Sequence, residues 1–541
     1  MATTIYEPLL PVPGFDIRDF RRLPGEPVAV ETHGGRTIVR VRPEALRALA
    51  REAFRDIAFF LRRGHLERLA AILQDPGASP NDRFVAEKLL ENAAVAARGV
   101  LPMCQDTGTA TVMAWKGEDV ATGGDDARFL AEGAAEAWGS ENLRYSQLAA
   151  RSMFDEVNTG DNLPAQIDIQ AVPGAEYRFL FIAKGGGSAN KTALYQESKA
   201  LLNERALDAF LRAKIDAIGV AACPPYHLAV VVGGTSPEAN LKVLKLATAG
   251  WLDELPEAGS ERGIAFRDPE WEARVLAMAA ESGWGAQFGG RHLALDARVI
   301  RLPRHAGSCP VSIGVSCSAD RNIRAVITRD GVLLERLEEH PERFLPQAPA
   351  AAALPPPEPI DLNAPMMRIL QALSNRPVGT RLSLSGPLVV ARDAAHARLA
   401  RILEATGKLP DYFALHPIYY AGPAKTPAGM TSGSFGPTTA QRMDAYIPEF
   451  MRHGASLITL AKGNRAAATA DACRRYGGFY LGTIGGAAAL AAQENIARSE
   501  VLDFADLGME AIRLIEVRDL PAFIICDDKG NDLYAKRAPK A

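Results

Sequence analysis

Residues 177–191 have the sequence Tyr-Arg-Phe-Leu-Phe-Ile-Ala-Lys-Gly-Gly-Gly-Ser-Ala-Asn-Lys. The run Tyr177–Ala183 is apolar and rich in Phe, which predicts a buried strand, and three consecutive glycines follow it closely. A second such strand is predicted at Ala217–Ala222, directly before the Cys-Pro-Pro turn at residues 223–225. Such turns after buried strands expose backbone amides and side chains at the edge of a sheet, where α/β proteins place their functional groups. We therefore predict an α/β fold with its functional site around these two turns.

The bulk composition is that of an ordinary globular protein. The chain has 541 residues, of which 48% are hydrophobic and 23% charged, so it is long enough for two or more hydrophobic cores. Its 61 basic and 64 acidic residues give a formal charge of -3, which creates no general attraction for nucleic acid or membrane surfaces. Residues 1–20 lack the basic and apolar segments of a signal peptide, and no run approaches the ~20 apolar residues of a membrane span. We expect a cytoplasmic protein, with the mitochondrial matrix as the alternative location.

Residues 347–359 show the clearest shift in composition, because they are mostly alanine and proline and carry no charge before Glu358. Proline has no backbone donor and favours extended conformations, so this segment predicts a semi-rigid linker. The linker divides the chain into a larger N-terminal domain at residues 1–346 and a smaller C-terminal domain at residues 360–541.

Apolar residues at helical spacing predict scaffold helices at Arg42–Leu73 and Pro80–Ala97, the second capped by Ser79. Runs rich in Ile and Val predict further strands at Gln166–Val172 and Leu228–Val232. Beyond the linker, the predicted elements are the strands Arg381–Val390, Ser456–Leu460 and Phe523–Cys526 and the helix Ala394–Thr406. Strands and helices are therefore mixed in both domains, and the predicted fold class is α/β (mixed α+β).

The glycine turn at Lys184–Lys191 leaves three interpretations open. Residues 185–192 differ from the phosphate-binding signature G-x-x-x-x-G-K-[ST] at one position, because Asn190 stands where the second glycine is required. A branched side chain there obstructs the approach of a phosphate to the backbone, which disfavours nucleotide binding. The alternatives are a tight structural turn and a loop whose amides hold a carboxylate.

The six cysteines are few and widely spaced, which is typical of reduced thiols or metal ligands and not of a disulfide framework. They are Cys104, Cys223, Cys309, Cys317, Cys473 and Cys526. Cys473 lies in an alanine-rich helical pattern and Cys526 ends an apolar run, so both are predicted to pack in the core. The separations match no compact metal-binding rule, and the spacing alone leaves the ligand set open.

Several longer motifs resemble the class I fumarases, a family of iron-dependent hydro-lyases that also includes the tartrate dehydratases. The matching segments are Met103–Thr109 (Met-Cys-Gln-Asp-Thr-Gly-Thr), Lys184–Lys191, Ala222–His227, Val315–Asp320, Ser385–Pro387, Gly433–Thr439, Gly508–Ala511, Pro521–Phe523 and Asp527–Asp532. They extend over nearly the whole chain. The resemblance implies a homodimer and a C-terminal domain of the swivel-like kind.

The resemblance also implies a 4Fe-4S cluster bound by Cys104, Cys223 and Cys317. Three thiolates leave one iron without a protein ligand, and an open coordination site suits a Lewis-acid catalyst better than an electron carrier. Cys309 is the rival for the third position, and the family pattern, not the spacing, excludes it.

A small dicarboxylate substrate is implied as well, surrounded by cations and polar groups. The residues that the resemblance places there are Gln105, Asp106, Arg144, Gly187, Arg392, Thr438, Arg442 and Lys462. Arginine forms strong charge-assisted pairs with carboxylates. Taken singly, each arginine would be a solvated surface charge, but Arg392 and Lys462 each follow a predicted strand and Arg442 lies at a predicted helix start.

Three residues are candidates for handling protons: Asp106, His305 and Thr438. The resemblance places His305 beside the cluster, and a neutral imidazole near Asp106 would suit proton transfer. A threonine hydroxyl is a poor base and needs an activating neighbour such as Asp106, so the base is left open. His227 is predicted to pack behind the site.

The implied reaction is the reversible hydration of fumarate to (S)-malate. The cluster would come from the first domain and most cations from the second, which predicts that the domains close over the substrate. The nearest alternative is a related hydro-lyase acting on tartrate or mesaconate, although the tartrate enzymes usually resemble the two halves made as separate subunits. A redox-sensing or electron-transfer iron–sulfur protein is disfavoured, because it predicts a fourth ligand and no group of arginines.

Overall fold

The computed structural model describes residues 8–12, 14, 16–25, 27–261, 263–347 and 354–535. Its strands are β1 Phe20–Arg22, β2 Val28–His33, β3 Arg36–Val41, β4 Thr109–Gly117, β5 Val120–Ala121, β6 Leu148–Ala150, β7 Glu156–Asn158, β8 Gln166–Val172, β9 Tyr177–Lys184, β10 Ala193–Glu197, β11 Tyr226–Gly234, β12 Phe266–Arg267, β13 Ala294–Arg304, β14 Cys309–Ser316, β15 Asn322–Thr328, β16 Gly331–Glu335, β17 Glu358–Asp361, β18 Arg381–Val390, β19 Ile418–Tyr419, β20 Ala421–Pro423, β21 Phe435–Pro437, β22 Ile458–Ala461, β23 Phe479–Thr483, β24 Ile496–Asp503 and β25 Ile512–Cys526.

The α-helices are α1 Pro43–Phe59, α2 Arg63–Gln74, α3 Pro80–Ala96, α4 Asp126–Ser140, α5 Gly186–Ala189, α6 Glu204–Ile218, α7 Pro237–Thr248, α8 Pro269–Glu281, α9 Met366–Ser374, α10 Asp393–Thr406, α11 Tyr412–Leu415, α12 Ile447–Arg452, α13 Ala467–Tyr476 and α14 Ala488–Glu494. Short 3-10 helices occur at Ile17–Asp19, Lys199–Leu201, Pro341–Phe344, Ala440–Met443 and Ala505–Glu510. Helices and strands are mixed along the whole chain, which confirms the predicted α/β fold class. None of the described helices has the length and apolar character needed to cross a membrane.

Two large sheets form the N-terminal part. The first has the strand order β1-β16-β15-β9-β4-β8 and the second the order β10-β14-β11-β13-β12. In the second sheet β11 lies between β13, to which it is parallel, and β14, to which it is antiparallel. All nine residues of β11 are buried, as expected for a central strand covered on both faces.

A seven-stranded sheet, β17-β18-β19-β22-β23-β25-β24, is the main sheet of the C-terminal part, beside the two-stranded sheet β20-β21. The strands β17, β18, β19, β22 and β23 run parallel, and the long strand β25 is antiparallel to β18 and β23. Glu358 and Pro359, predicted as the end of the linker, belong to β17 at the edge of this sheet, a position that tolerates proline. Residues 348–353 of the predicted linker lie outside the described residues, and the predicted domain bounds stay a prediction.

The helices predicted at Pro80–Ala97 and Ala394–Thr406 are confirmed as α3 and α10. Ser79 caps α3 through a reciprocal pair of hydrogen bonds with Asp82, as its Ser-Pro start predicted. The prediction of one long helix at Arg42–Leu73 is wrong, because this segment forms two helices and α1 ends at Phe59. The backbone after Phe59 is extended, and Leu61 forms a β-bridge with Glu338 before α2 begins. The helical spacing of apolar residues therefore continues across a break between the two helices.

The strand predicted at Ala217–Ala222 is wrong. Helix α6 continues to Ile218, and Gly219 ends it with a positive φ of 57°. Ile218 and Val220 are both buried, so a helix end and a turn have the same apolar composition as a short strand. The Cys-Pro-Pro turn therefore comes before strand β11 and not after a strand.

The two parts of the chain share one hydrophobic core. A continuous cluster of buried residues extends from α2 and α3 through the five-stranded sheet into the seven-stranded sheet. Phe523 of β25, for example, stacks on Phe288 with 4.1 Å between ring centroids and contacts Phe84 of α3 edge-on. The backbone N–H of Leu490 also donates to the side chain of Asn92 across the same interface. Apolar packing therefore holds the two parts together and fixes the loops that meet between them.

Candidate active site

Two neighbouring strands bring Cys223 and Cys317 together. Cys223 lies just before β11 and Cys317 directly after β14, and these strands pair antiparallel with His227 opposite Ser316. The backbone N–H of Ser318 donates to the carbonyl oxygen of Cys223 over 3.1 Å and so joins the two turns. Cys223 has a positive φ of 62°, which is uncommon for a residue with a side chain and orients its thiol differently from an ordinary turn residue.

Cys104 reaches the same place from the turn before β4. Burial raises the pKa of the Cys104 thiol, and Asp106 and Cys317 raise it further. Burial also raises the pKa of Cys223 to about 12, with contributions from Cys317 and Cys104 that Lys462 opposes. Cys317 raises the pKa of both Cys104 and Cys223, and Cys104 also raises that of Cys223, so the three thiols lie close together around one common point.

Lys462 and Gly485 complete the surroundings of Cys223. The Lys462 ammonium Nζ lies 2.7 Å from the Cys223 Sγ, and a nearby ammonium favours the thiolate form. A Cβ at Gly485 would overlap the same sulfur atom, so only glycine leaves the thiol its space. Three free thiols around one point, with a cation beside them, are a donor set that fits a metal cluster bound by three thiolates.

The other three cysteines lie elsewhere. Cys309 begins strand β14 and Cys317 follows its end, so eight residues at ~3.3 Å each place them roughly 25 Å apart. Burial raises the pKa of Cys309, and the ionisable groups that influence it are Arg301, Arg304 and Glu197, away from the other thiols. Cys473 in α13 and Cys526 at the end of β25 are fully buried in the apolar core, as their sequence patterns predicted.

Asp106 is the charged centre on the N-terminal side of the site. Its carboxylate accepts from the backbone N–H of Gly186 over 2.9 Å and pairs with Arg144 at 3.2 Å. Burial by itself would raise the pKa of Asp106, but positive and hydrogen-bonding groups outweigh it and lower that pKa to about 2. These groups are Arg144, Arg321, the Gly186 N–H and Lys462. Asp106 is therefore a carboxylate held in place by cations.

The glycine turn thus holds a carboxylate of the protein itself. Its residues form the short helix α5, and the first N–H of that helix, from Gly186, is the donor to Asp106. Lys191, the lysine of the near-miss phosphate motif, donates instead to the carbonyl oxygen of Ala217 at 3.2 Å. The structure therefore supports the third interpretation of the turn over nucleotide binding.

Arg392 brings a buried cation from the C-terminal part. It lies between β18 and α10, pairs with Glu510 at 3.3 Å and donates to the carbonyl oxygen of Met509. Burial lowers the pKa of Arg392 to about 10, and Arg144 and Arg442 lower it further because their charges are close by. Arg144 and Arg442 therefore lie near Arg392, and the three arginines form a positive region suited to an anion.

Thr438 and Lys462 are fixed by the backbone of two adjacent segments. The N–H of Thr438 donates to the carbonyl oxygen of Tyr420 at 2.7 Å, and the N–H of Lys462 donates to that of Thr438 at 3.1 Å. Gln105, next to Cys104, donates its side-chain amide to the carbonyl oxygen of Pro437 at 3.0 Å. The cysteine turn of the N-terminal part is therefore bonded directly to the segment that carries Thr438.

Gly187 and Arg442 lie at the margins of the same region. A Cβ at Gly187 would contact the Lys462 Nζ at 3.6 Å, which places this glycine beside the ammonium. Arg442 lies in the 3-10 helix Ala440–Met443, close to the predicted helix start, and pairs with Asp393 at 3.2 Å. Its side chain is 41% exposed, so it is the most accessible of the predicted substrate cations whose ion pairs are described.

His305 does not meet the other predicted residues within one copy of the chain. It is exposed in the turn between β13 and β14, four residues before Cys309 and at the opposite end of β14 from Cys317. Its Nδ1 accepts from the backbone N–H of Gly307 at 3.1 Å. The expectation that His305 lies beside the cysteine group is therefore corrected for the single chain, because strand β14 separates the two turns.

Sequence reasoning missed three residues that shape the site. Arg321 is buried, influences both Asp106 and Cys104, and its Nε has no hydrogen-bond partner among the described residues. Glu510 pairs with Arg392 and also accepts from the N–H of Ala394. The side chain of Gln287 donates to the carbonyl oxygens of Pro224 and Gly485 and accepts from the Gly485 N–H, which positions the residues around Cys223. Arg321 directly follows the motif Val315–Asp320 and Glu510 lies within the motif Gly508–Ala511, whereas Gln287 belongs to none of the matching segments.

Three free thiols beside a carboxylate and several cations, with Cys104 and Cys223 buried and Cys317 partly exposed, are typical of a metalloenzyme site for an anionic substrate. Comparison with known proteins identifies the class of enzyme. The family model described as fumarate hydratase (fumerase) matches residues 47–326, and the model described as fumarase C-terminus matches residues 331–537. The chain therefore belongs to the fumarate hydratase (fumerase) family, and it is an iron-dependent hydro-lyase.

Similar proteins cover almost the full chain. "Fumarate hydratase class I, anaerobic" of Escherichia coli strain K12 is 55% identical over 530 residues, which are 98% of this chain and 96% of that protein. "Fumarate hydratase 2" of Leishmania major is 55% identical over 93% of this chain and 88% of its own length. "Fumarate hydratase class I, aerobic" of Salmonella typhimurium is 56% identical over 96% and 90%.

Proposed function

We propose that this protein is a class I fumarate hydratase that interconverts fumarate and (S)-malate with a 4Fe-4S cluster bound by Cys104, Cys223 and Cys317. The observation that carries the proposal is the convergence of these three thiols, two of them buried, beside the cations of the C-terminal part. The names of the similar proteins support the choice of fumarate. When bound, the cluster supplies an iron with no protein ligand, which acts as a Lewis acid toward substrate oxygens.

The cationic residues bind and orient the dicarboxylate. Arg392 and Arg144 are buried, and the charge of Arg144 lowers the pKa of Arg392, so an anion bound beside them would relieve their repulsion. Arg442 and Lys462 extend the positive region, so that a substrate with a carboxylate at each end has a cation for both. The same charges stabilise the extra negative charge that develops on a carboxylate when the adjacent carbon loses its proton.

Thr438 and Asp106 are the proposed groups for proton transfer at carbon. The backbone of Thr438 is fixed on both sides, which restricts the positions that its hydroxyl can reach. A hydroxyl is a weak base and needs negative charge nearby. Asp106, whose pKa is lowered to about 2, stays ionised at neutral pH and provides such a charge while it holds Arg144 in place.

We propose that the working form is a homodimer. His305 is exposed at the tip of the β13–β14 turn, and Gly307 follows within the same turn. The family resemblance assigns a histidine at this position to the neighbourhood of the cluster, and the length of β14 prevents that within one copy. A second copy that brings its own turn to the site would reconcile these two facts.

A substrate panel tests the proposed reaction. The protein, purified without oxygen, is expected to hydrate fumarate with a kcat/KM at least about tenfold above its value for mesaconate and for dehydration of tartrate, a difference of about 1.4 kcal/mol in transition-state binding. Hydration is followed by the loss of fumarate absorbance and by malate formation. Faster turnover of tartrate or mesaconate would identify the related hydro-lyase instead.

A further inference from the structure

Two histidines form a buried chain of hydrogen bonds behind the cysteine site. His65 of α2 and His227 of β11 are both buried, with 2.9 Å between the His65 Nδ1 and the His227 Nε2. The other nitrogen of His65 lies 3.0 Å from the carbonyl oxygen of Ser318. The other nitrogen of His227 lies 2.7 Å from a carboxylate oxygen of Asp296. The two rings therefore make three polar contacts in a row, from Ser318 to Asp296.

These contacts need more protons than two neutral imidazoles carry. The carbonyl oxygen of Ser318 only accepts, so the facing His65 nitrogen must carry a proton. Asp296 is held as a carboxylate by Arg298 at 2.9 Å and Arg68 at 3.4 Å, so the facing His227 nitrogen must carry one as well. The nitrogen–nitrogen contact needs a third. Two neutral rings have only two ring protons, so the pair must hold one extra proton and one positive charge.

The surrounding charges support a cation at this position. Asp320 is buried and lies 3.7 Å from the His227 Nε2, so the pair has a carboxylate on two sides. Burial, and then the charge of His227, lower the pKa of His65 to about 4. Farther out, Arg62 pairs with Glu335 at 2.8 Å, and its charge also acts on Asp320.

The hydrogen-bond chain ends at the turn that carries the third proposed ligand. His65 bonds the carbonyl oxygen of Ser318, and the N–H of Ser318 bonds the carbonyl oxygen of Cys223. We propose that His65 and His227 act as a singly charged positioning pair, which shares three ring protons and holds the Cys317–Ser318 turn in the geometry needed for cluster binding. The link to the cluster rests on the proposed function, whereas the proton count does not.

A metal ion is the competing occupant of this place. Ligand atoms of His65, His227 and Asp320 lie within 4.8 Å of one another. The cavity beside them, of about 180 Å³, is lined by Asp253, Asp320 and Glu335 but also by the arginines Arg62, Arg68, Arg298 and Arg324, so its lining has no excess of negative charge to attract a divalent cation. A ring proton between the two histidines occupies the lone pairs that a metal would need. The geometry therefore favours the shared proton.

The substitution Asp296→Asn tests the positive charge of the histidine pair separately from its hydrogen bonds. The asparagine amide can donate to an unprotonated His227 Nδ1, so the row of hydrogen bonds persists without the extra proton. In the unsubstituted holoenzyme the extra proton is lost as the pH rises, and the turn then loses one hydrogen bond. Iron release to a chelator is therefore expected to accelerate about tenfold between neutral and alkaline pH, and by less than about twofold in Asp296→Asn.

Asp75→Asn is the matched control, because Asp75 forms a comparable pair with His292 at 2.8 Å in a different contact. This variant should still release iron faster at alkaline pH.

Nitrogen NMR of histidine-labelled holoenzyme at pH 8 provides a second measurement. It should show one ring with both nitrogens protonated, and this signal should be absent from Asp296→Asn. The proposal would be overturned if iron release depended on alkaline pH identically in Asp296→Asn and in the unsubstituted protein. It would also be overturned if the NMR spectrum showed only singly protonated rings, or if the protein contained one zinc ion per chain beside the iron. A protein without iron and sulfide would refute the proposed function, while the NMR result would still decide the proton count.

Discussion

Replacing Cys317 by Ser is expected to remove the cluster and to lower fumarate hydration by at least about 100-fold. Cys317 comes from the turn after β14 and provides one of the three thiols around the common point. A serine hydroxyl is a much weaker ligand for iron than a thiolate, and two cysteines cannot hold a cluster that needs three. The measurement is iron and sulfide content per chain after purification without oxygen, together with the rate of malate formation.

Cys309→Ser is the matched control for this prediction. Cys309 begins strand β14, whose other end directly precedes Cys317, and is fully buried. Placing a hydroxyl in its apolar position is expected to lower the free energy of unfolding by about 1–3 kcal/mol without changing the iron content. Equal loss of iron from both variants would show that the assignment of Cys317 as the third ligand is wrong.

Asp106→Asn is expected to lower kcat by about 10²–10⁴-fold with the iron content retained. The substitution keeps the size of the side chain and its ability to accept from the Gly186 N–H, but it removes the negative charge that pairs with Arg144. Without that charge, Arg144 is no longer fixed and Thr438 loses the activating carboxylate proposed for it. The measurement is steady-state hydration of fumarate together with an iron assay on the same sample.

Asp155→Asn provides the control for Asp106→Asn. Asp155 also pairs with an arginine, Arg151, at 2.9 Å, but both side chains are more than half exposed. A pair of this kind contributes about 0–1 kcal/mol, so activity should not change. If Asp106→Asn kept full activity, or lost activity only in proportion to lost iron, the proposed role of Asp106 in proton transfer would be refuted.

Local features of the fold were predictable because short stretches of sequence determine them. The Ser79 cap, strand β9 and its glycine turn, and the buried positions of Cys473 and Cys526 all follow from neighbouring residues. The predicted strand Ala217–Ala222 failed because the end of a helix and a strand are equally apolar when both are buried. Only tertiary packing distinguishes the two.

The candidate site could be predicted only through the family resemblance. Cys223 and Cys317 meet because β11 and β14 are neighbours in a sheet, a pairing between residues about 90 positions apart that spacing alone does not reveal. Gln287 supports Cys223 from another loop and has no motif of its own. The same dependence on strand order explains why His305, close to Cys309 in sequence, lies away from Cys317 in space.

Iron and sulfide analysis of the protein purified without oxygen, paired with its fumarate hydration rate before and after the metal is stripped, tests the central claim most directly. We predict four iron and four sulfide per chain, loss of hydration when they are removed, and recovery when the cluster is rebuilt. Hydration at an unchanged rate in the stripped protein, or protein that contains no iron, would contradict the assignment of Cys104, Cys223 and Cys317 as ligands of a catalytic cluster.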